Sequence, residues 1–140
     1  MRVRLVLAAG LLAAVTAATA PLAHATEVDG LTVDGFGVVA SDSKVTLSGT
    51  YRCLDDSAGP VFVGSTLLQG DRSAGIGGTR AVCDGRVHTW VNDAVVKDAA
   101  YQPGAARVRA TLMQLTTGET GLPTPGFLAT RESDVALYEG

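Results

Sequence analysis

From Lys44 to Cys53 the chain alternates strictly. Val45, Leu47, Gly49, Tyr51 and Cys53 fall on one face, and Thr46, Ser48, Thr50 and Arg52 on the other. A period of two marks a strand with one buried face, so Cys53 is expected to point inward with the core residues. Before it, Leu31–Val33 and Phe36–Val39 read as an opening strand interrupted by Asp34-Gly35. After it, Asp55-Asp56-Ser57-Ala58-Gly59-Pro60 has the composition of a loop, and Val61–Gln69 reads as the next strand. A glycine-rich stretch, Gly75-Ile76-Gly77-Gly78, then leads into a strand from Thr79 to Cys83. Asp84-Gly85 lies between that strand and the β-pattern of Val87–Val91. An Asp-Gly in this setting predicts a two-residue hairpin, because both central positions favour positive φ. Cys83 is then expected to end one strand, with Val87–Val91 returning beside it.

Residues Ala105–Leu115 fit two patterns. Ala106, Val108, Ala110 and Leu112 alternate like a strand, while Ala105, Val108, Leu112 and Leu115 fit one face of a helix. The strand is preferred because its neighbours are strands and because it turns Arg107 and Arg109 to solvent. Val135–Tyr138 supplies a closing strand. About seven or eight short strands at this spacing predict an all-β fold, a sandwich of two antiparallel sheets.

The first residues follow a different pattern. Met1-Arg2-Val3-Arg4 is basic, Leu5 to about Ala20 is apolar and uncharged, and Ala23 and Ala25 present small side chains before Thr26. This order predicts a signal peptide, residues 1–25, cleaved after Ala25, followed by one domain over 26–140. A membrane span needs about 20 apolar residues, and this apolar stretch is shorter and ends at Pro21. No cysteine lies near the cleavage site for lipid attachment, and Arg2 and Arg4 are not a twin-arginine pair. Leu122-Pro123-Thr124-Pro125-Gly126 departs from a cell-wall sorting signal and reads as a proline-stiffened loop. The expected product is secreted and extracellular, with no membrane anchor after cleavage.

Once Arg2 and Arg4 leave with the leader, nine basic residues face 14 acidic ones, a net charge of −5. That balance excludes a general nucleic-acid binder, which needs a basic surface to displace counterions. Export also places Cys53 and Cys83 where disulfides persist, so a Cys53–Cys83 bond is expected. In the chain-entropy model, closing a loop of about 30 residues stabilises the fold by roughly 3–4 kcal/mol. The alternative, a thiol metal site, has two cysteines and a single mature histidine, which is a poor zinc set.

Val45–Cys53, Ala81-Val82-Cys83-Asp84-Gly85 with Trp90, and Tyr101-Gln102-Pro103-Gly104-Ala105-Ala106 together resemble a group of sequences. They are similar to small secreted actinobacterial proteins that form a domain family of unknown function, over most of Leu31 to Leu137. The resemblance implies an immunoglobulin-like sandwich with one intersheet disulfide and transfers no active-site residue. In an antibody domain the tryptophan lies between the two cysteines. Here Trp90 follows Cys83, so an antibody sheet order is not implied.

Candidate chemistry is sparse. His88 is the single mature histidine, and no G-x-S-x-G elbow accompanies it for nucleophilic hydrolysis. Asp55 and Asp56 are adjacent, so an extended backbone would point them apart rather than pair them for glycoside hydrolysis. They offer oxygen ligands for calcium, without EF-hand spacing. Gly75, Gly77 and Gly78 lack the Lys-Ser/Thr of a phosphate loop. Arg72, Arg80, Arg86, Arg107 and Arg109 read first as solubilising charges. Trp90, Tyr51, Tyr101 and Phe62 could line a ligand pocket, but with aromatics at 5% of the chain they are expected in the core first.

The expected function is that of a non-enzymatic secreted binding module needing no cofactor and no metal. Its partner would be a protein, a cell surface or a small molecule, met through the loops Asp55–Pro60, Gly70–Gly78 and Thr116–Phe127. Pro123 and Pro125 stiffen the last of these and are its candidate contact residues, beside Trp90 and Tyr101. Two alternatives stand behind it. One is a carrier of a small apolar ligand, with a cleft lined by Trp90 and Tyr101. The other is a hydrolytic enzyme built around His88.

Overall fold

The computed structural model describes residues 28–97 and 101–140, so the leader with Ala23, Ala25 and Thr26 lies outside the described residues. The described residues form eight strands: β1 Gly30–Val33, β2 Phe36–Val39, β3 Lys44–Arg52, β4 Val61–Gln69, β5 Arg72–Arg80, β6 Val87–Val95, β7 Gly104–Thr117 and β8 Pro123–Glu139. The alternation of β3 is realised, with Val45, Leu47 and Tyr51 buried and Cys53 completely so. The ambiguous segment is strand β7, with Ala106, Val108, Ala110 and Leu112 inward and Arg107 and Arg109 exposed.

Two layers face each other. One runs β1-β3-β6, the other β2-β8-β7-β4-β5. Strand β2 joins them: it pairs antiparallel with β3 over two residues and parallel with β8 over Phe36–Val39. An opening strand that splits between two sheets, followed by antiparallel strands divided between them in this order, makes the fold an immunoglobulin-like β-sandwich. The Asp34-Gly35 interruption is the point at which the chain changes sheet. Its parallel β2–β8 pair is one departure from a wholly antiparallel design.

Trp90 is the largest fully buried side chain, and it sits opposite Gly49 on β3. Its indole crosses β3 and donates from Nε1 to the Thr32 carbonyl of β1 at 3.0 Å. Only a glycine leaves room for that crossing, because a Cβ at position 49 would lie 2.6 Å from the indole nitrogen and would collide with the Thr32 carbonyl. One residue thus stitches all three strands of its sheet while filling the interior.

Three polar side chains bridge the two layers. Asn92 of β6, 2% exposed, donates from Nδ2 to the Val63 carbonyl at 3.0 Å and to Ser65 Oγ at 2.9 Å. Ser65 donates in turn to the Ile76 carbonyl at 2.6 Å, and the Thr79 hydroxyl reaches Asn92 Oδ1. The need for these bonds is local. Strands β4 and β5 slip register between Gly64 and Thr66, opposite Gly77 with φ 63°, so the ladder there is broken. Asn92→Ala is expected to cost about 2–3 kcal/mol, because Ser65 and the Val63 carbonyl would be left buried without that donor. Equilibrium urea unfolding measures it.

Four expectations are corrected. Phe62 is not in the core: it alternates with buried Val61 and Val63 and so faces outward from β4. Thr79–Cys83 is not a strand hairpinned to Val87–Val91: β5 ends at Arg80 in one layer and β6 pairs with β3 in the other. Residues 81–86, Asp84-Gly85 included, carry the chain across the sandwich, and this sheet change overrides the two-residue hairpin signal. Gly70–Gly78 is not a loop, since Arg72–Gly78 belongs to β5. Ile76 is completely buried and anchors that strand, and a Cβ at Gly77 would meet the Asp93 carbonyl of β6 at 2.8 Å. Glycine is there for close approach, not for looseness. Thr116–Phe127 shrinks to a turn over 118–122, because β8 starts at Pro123 and not at Val135. Both prolines are tolerated since, among the described residues, β2 pairs only with 136–139 of β8, leaving the Pro123–Val135 side an edge.

Candidate functional site

The end of the sandwich at which β3 finishes is built around the Cys53–Cys83 disulfide (S–S 2.07 Å). Around it, the crossing segment is fastened to the end of β3. Val82 N donates to the Tyr51 hydroxyl at 2.8 Å, Gly85 N to the Cys53 carbonyl at 3.0 Å, and Arg52 Nε to the Gly85 carbonyl at 2.7 Å. His88 belongs to this brace. Its Nε2 lies 2.8 Å from Asp84 Oδ1 and its ring stacks on Tyr51 at 5.6 Å between centroids. The Asp84 carboxylate also accepts from Arg86 N, so it closes the 84–86 turn. The His88 bond, followed by the Arg86 bond, holds its carboxyl below the usual aspartate range. Among the described residues His88 is bonded to Asp84, and no serine, threonine or cysteine is hydrogen-bonded to it.

Two of the predicted loops lie at this end. In the first, Asp55 accepts from Ser57 N at 2.9 Å and from Ser57 Oγ at 2.8 Å, and Gly59 N donates to the Asp56 carbonyl. These bonds to Ser57 keep the Asp55 carboxyl below its ordinary value, and they spend both its oxygens on shaping the loop. The loop is then sewn to β7: Leu115 N donates to the Pro60 carbonyl at 2.9 Å, and Gln114 Nε2 to the Gly59 carbonyl at 3.1 Å. Gly59 has φ 150° and lies so close to the Leu115 carbonyl that any Cβ would overlap it. In the second, Gly121 N donates to the Gly118 carbonyl with Gly121 at φ 76°, which closes the β7–β8 turn. Leu122 stands on that turn 68% exposed, and Pro123, Pro125 and Phe127 follow on one side of β8.

The other predicted contact residues lie elsewhere. Trp90 is 0% exposed and Tyr101 6%, and both fill the interior instead of lining the cleft of the carrier alternative. Tyr101 donates its hydroxyl to the Leu67 carbonyl at 3.2 Å. Burial pushes this phenol above its ordinary value, so its contribution is present below pH 10 and is lost as pH rises through the folded value. Tyr101→Phe is expected to cost about 1 kcal/mol at neutral pH and to remove that share of the alkaline loss, read from urea midpoints at several pH values. Among the described residues no group of three or more His, Cys, Asp or Glu is placed to hold a metal. Arg72, Arg80, Arg86, Arg107 and Arg109 are spread over β5, the 84–86 turn and β7.

A profile described as a family of unknown function, DUF6299, matches residues 27–140, a span that contains all eight strands, the disulfide and both loops. The chain belongs to DUF6299. A search of curated proteins finds no match. Among solved structures, murine CRIg is similar at a TM-score of 0.37 and 13% identity, over 80% of this chain and 98% of that one. A DNA-bound alkylpurine DNA glycosylase, AlkC of Pseudomonas fluorescens, is similar at a TM-score of 0.36 and 10% identity. That match covers 77% of this chain and 30% of the glycosylase. Neither likeness bears on what a DUF6299 domain does.

The sequence did not single out Phe127, Leu122, Asn92 or Gly49. Asn92 and Gly49 carry no signal in one sequence, since each depends on a partner strand. Leu122 and Phe127 did carry one: large apolar residues beside prolines in a polar stretch.

Proposed function

We propose that this DUF6299 chain is a secreted, non-enzymatic binding module that engages its partner with the disulfide-braced end of the sandwich. The observation that carries this reading is that two loops share that end: Asp55–Pro60, bonded to β7 at Gln114 and Leu115, and the β7–β8 turn beyond them, where Leu122 is 68% exposed. Rigid strands hold that end, Pro123 and Pro125 limit its freedom, and so little entropy is lost on binding. A disulfide-bonded domain fits an extracellular address, as does the basic-apolar-small order of residues 1–25. The carrier alternative is less favoured, because Trp90 occupies the interior that a ligand would need.

The test is capture of components from the culture medium and cell envelope of the producing organism on the immobilised mature chain. Leu122→Ser is expected to reduce specific capture at least about tenfold, the loss of one interface anchor. Val91→Ser, on the outer face of β6, is expected to leave it unchanged. Capture that ignores Leu122 and falls with Val91 would contradict the reading.

A further inference from the structure

We infer that two copies of this chain associate through the outer face of β4, β7 and β8, about a two-fold axis running along the strands between β7 and β8. This goes beyond the binding role assigned to the end loops, and it rests on a different surface.

That face has two parts. Phe62, Met113 and Phe127 stand in register across the three strands, and Phe127 is 66% exposed. Below them, Arg107 and Arg109 line β7 while their cross-strand partners on β8, Asp134 and Glu132, line the next strand with the opposite sign. The ion pairs are loose: Arg107 to Asp134 is 3.4 Å, Arg107 to Glu132 3.7 Å and Arg109 to Glu132 3.6 Å, and both arginine side chains remain more than half exposed. Their guanidinium groups therefore have donors left to offer.

A positive stripe beside a negative stripe is complementary to a copy of itself under one symmetry. A two-fold axis along the strands exchanges β7 with β8, so Arg109 meets Glu132 of the partner subunit and Phe127 covers Met113 of the partner subunit. An axis across the strands would instead set β7 on β7 and β8 on β8, arginine against arginine and acid against acid. An isologous contact needs such a self-matching patch, and a second copy supplies the matching pattern without further assumption. The parallel arrangement also brings both β7–β8 turns out at the same end. A dimer then offers two binding ends side by side, which raises avidity for any repeated or surface-bound partner.

The experiment is sedimentation equilibrium of the mature, oxidised chain over a wide concentration range, with charge-reversed variants. The wild-type chain is expected to form a two-chain species. R109E alone and E132R alone are each expected to lower the association constant by roughly tenfold or more, through like charges brought together. An equimolar mixture of the two variants is expected to recover association. In the mixed pair every contact between subunits joins opposite charges, while the 109–132 pair within each chain stays like-charged. F127S is expected to dissociate the dimer with an unchanged far-ultraviolet circular dichroism spectrum. A wild-type chain that stays monomeric throughout, or a mixture that fails to recover, would overturn the inference. Partner capture by the Leu122 end in a monomeric chain would leave the binding reading standing.

Discussion

Gly49→Ala is expected to destabilise the domain by about 3–5 kcal/mol, although it adds one methyl group to a strand. The new Cβ would overlap the Thr32 carbonyl and lie 2.6 Å from the Trp90 indole nitrogen. Neither neighbour can yield cheaply. Thr32 is held in the β1–β3 ladder, and Trp90 is fully enclosed. Overpacking of this kind costs roughly 1–3 kcal/mol, and displacing the indole also breaks its bond to Thr32, another 1–3 kcal/mol. Trp90→Phe bounds the second part from above, since it removes the donor together with part of the buried ring. Urea unfolding followed by circular dichroism gives both values. A Gly49→Ala loss below about 1 kcal/mol would mean that the indole does not lie across β3.

Removing the disulfide, by reduction or by Cys53→Ala with Cys83→Ala, is expected to cost about 3–4 kcal/mol. The bond closes 30 residues, and the chain-entropy relation assigns most of that figure to the wider freedom of the unfolded chain. A domain of this size has only about 5–15 kcal/mol in total, so the loss is a large share. The structure adds a local expectation. Residues 81–85 contain no strand and cross between sheets, so without the bond their attachment rests on single hydrogen bonds: Ala81 to Val61, Val82 to Tyr51, Asp84 to His88, Gly85 to Cys53 and Arg52 to Gly85. Amide exchange at Val82 and Gly85 is therefore expected to accelerate more than exchange in β4 or β7. Uniform acceleration across the domain would assign the whole effect to the unfolded state.

What the sequence made legible divides along a physical line. Strands whose inward residues alternate within one segment, β3, β4 and β7, are readable because the period is local. The disulfide is readable because only one pairing exists. Three features depended on distant partners and were not readable. The Asp84-Gly85 signal belongs equally to a hairpin and to a sheet crossing, and only the pairing of β6 with β3 decides between them. Gly77 looks like a loop residue until the Asp93 carbonyl is seen beside it. Pro123 and Pro125 argue against a strand unless that strand runs along an edge, which β8 does. The candidate site shares this division. Its loops were visible from composition, while the fastening of Asp55–Pro60 to β7 through Gly59, Leu115 and Gln114 was not. Trp90 and Tyr101, the aromatic contact candidates, were drawn inward by a core short of large side chains.

The central claim is that partner contact is confined to the disulfide-braced end. Hydroxyl-radical footprinting of the mature chain, with and without envelope extract from the producing organism, tests it most directly. The account predicts protection of Leu54, Pro60 and Leu122, with Val91 and Val95 on the outer face of β6 still fully reactive. Protection centred on Val91 and Val95, with Leu122 unaffected, would contradict it.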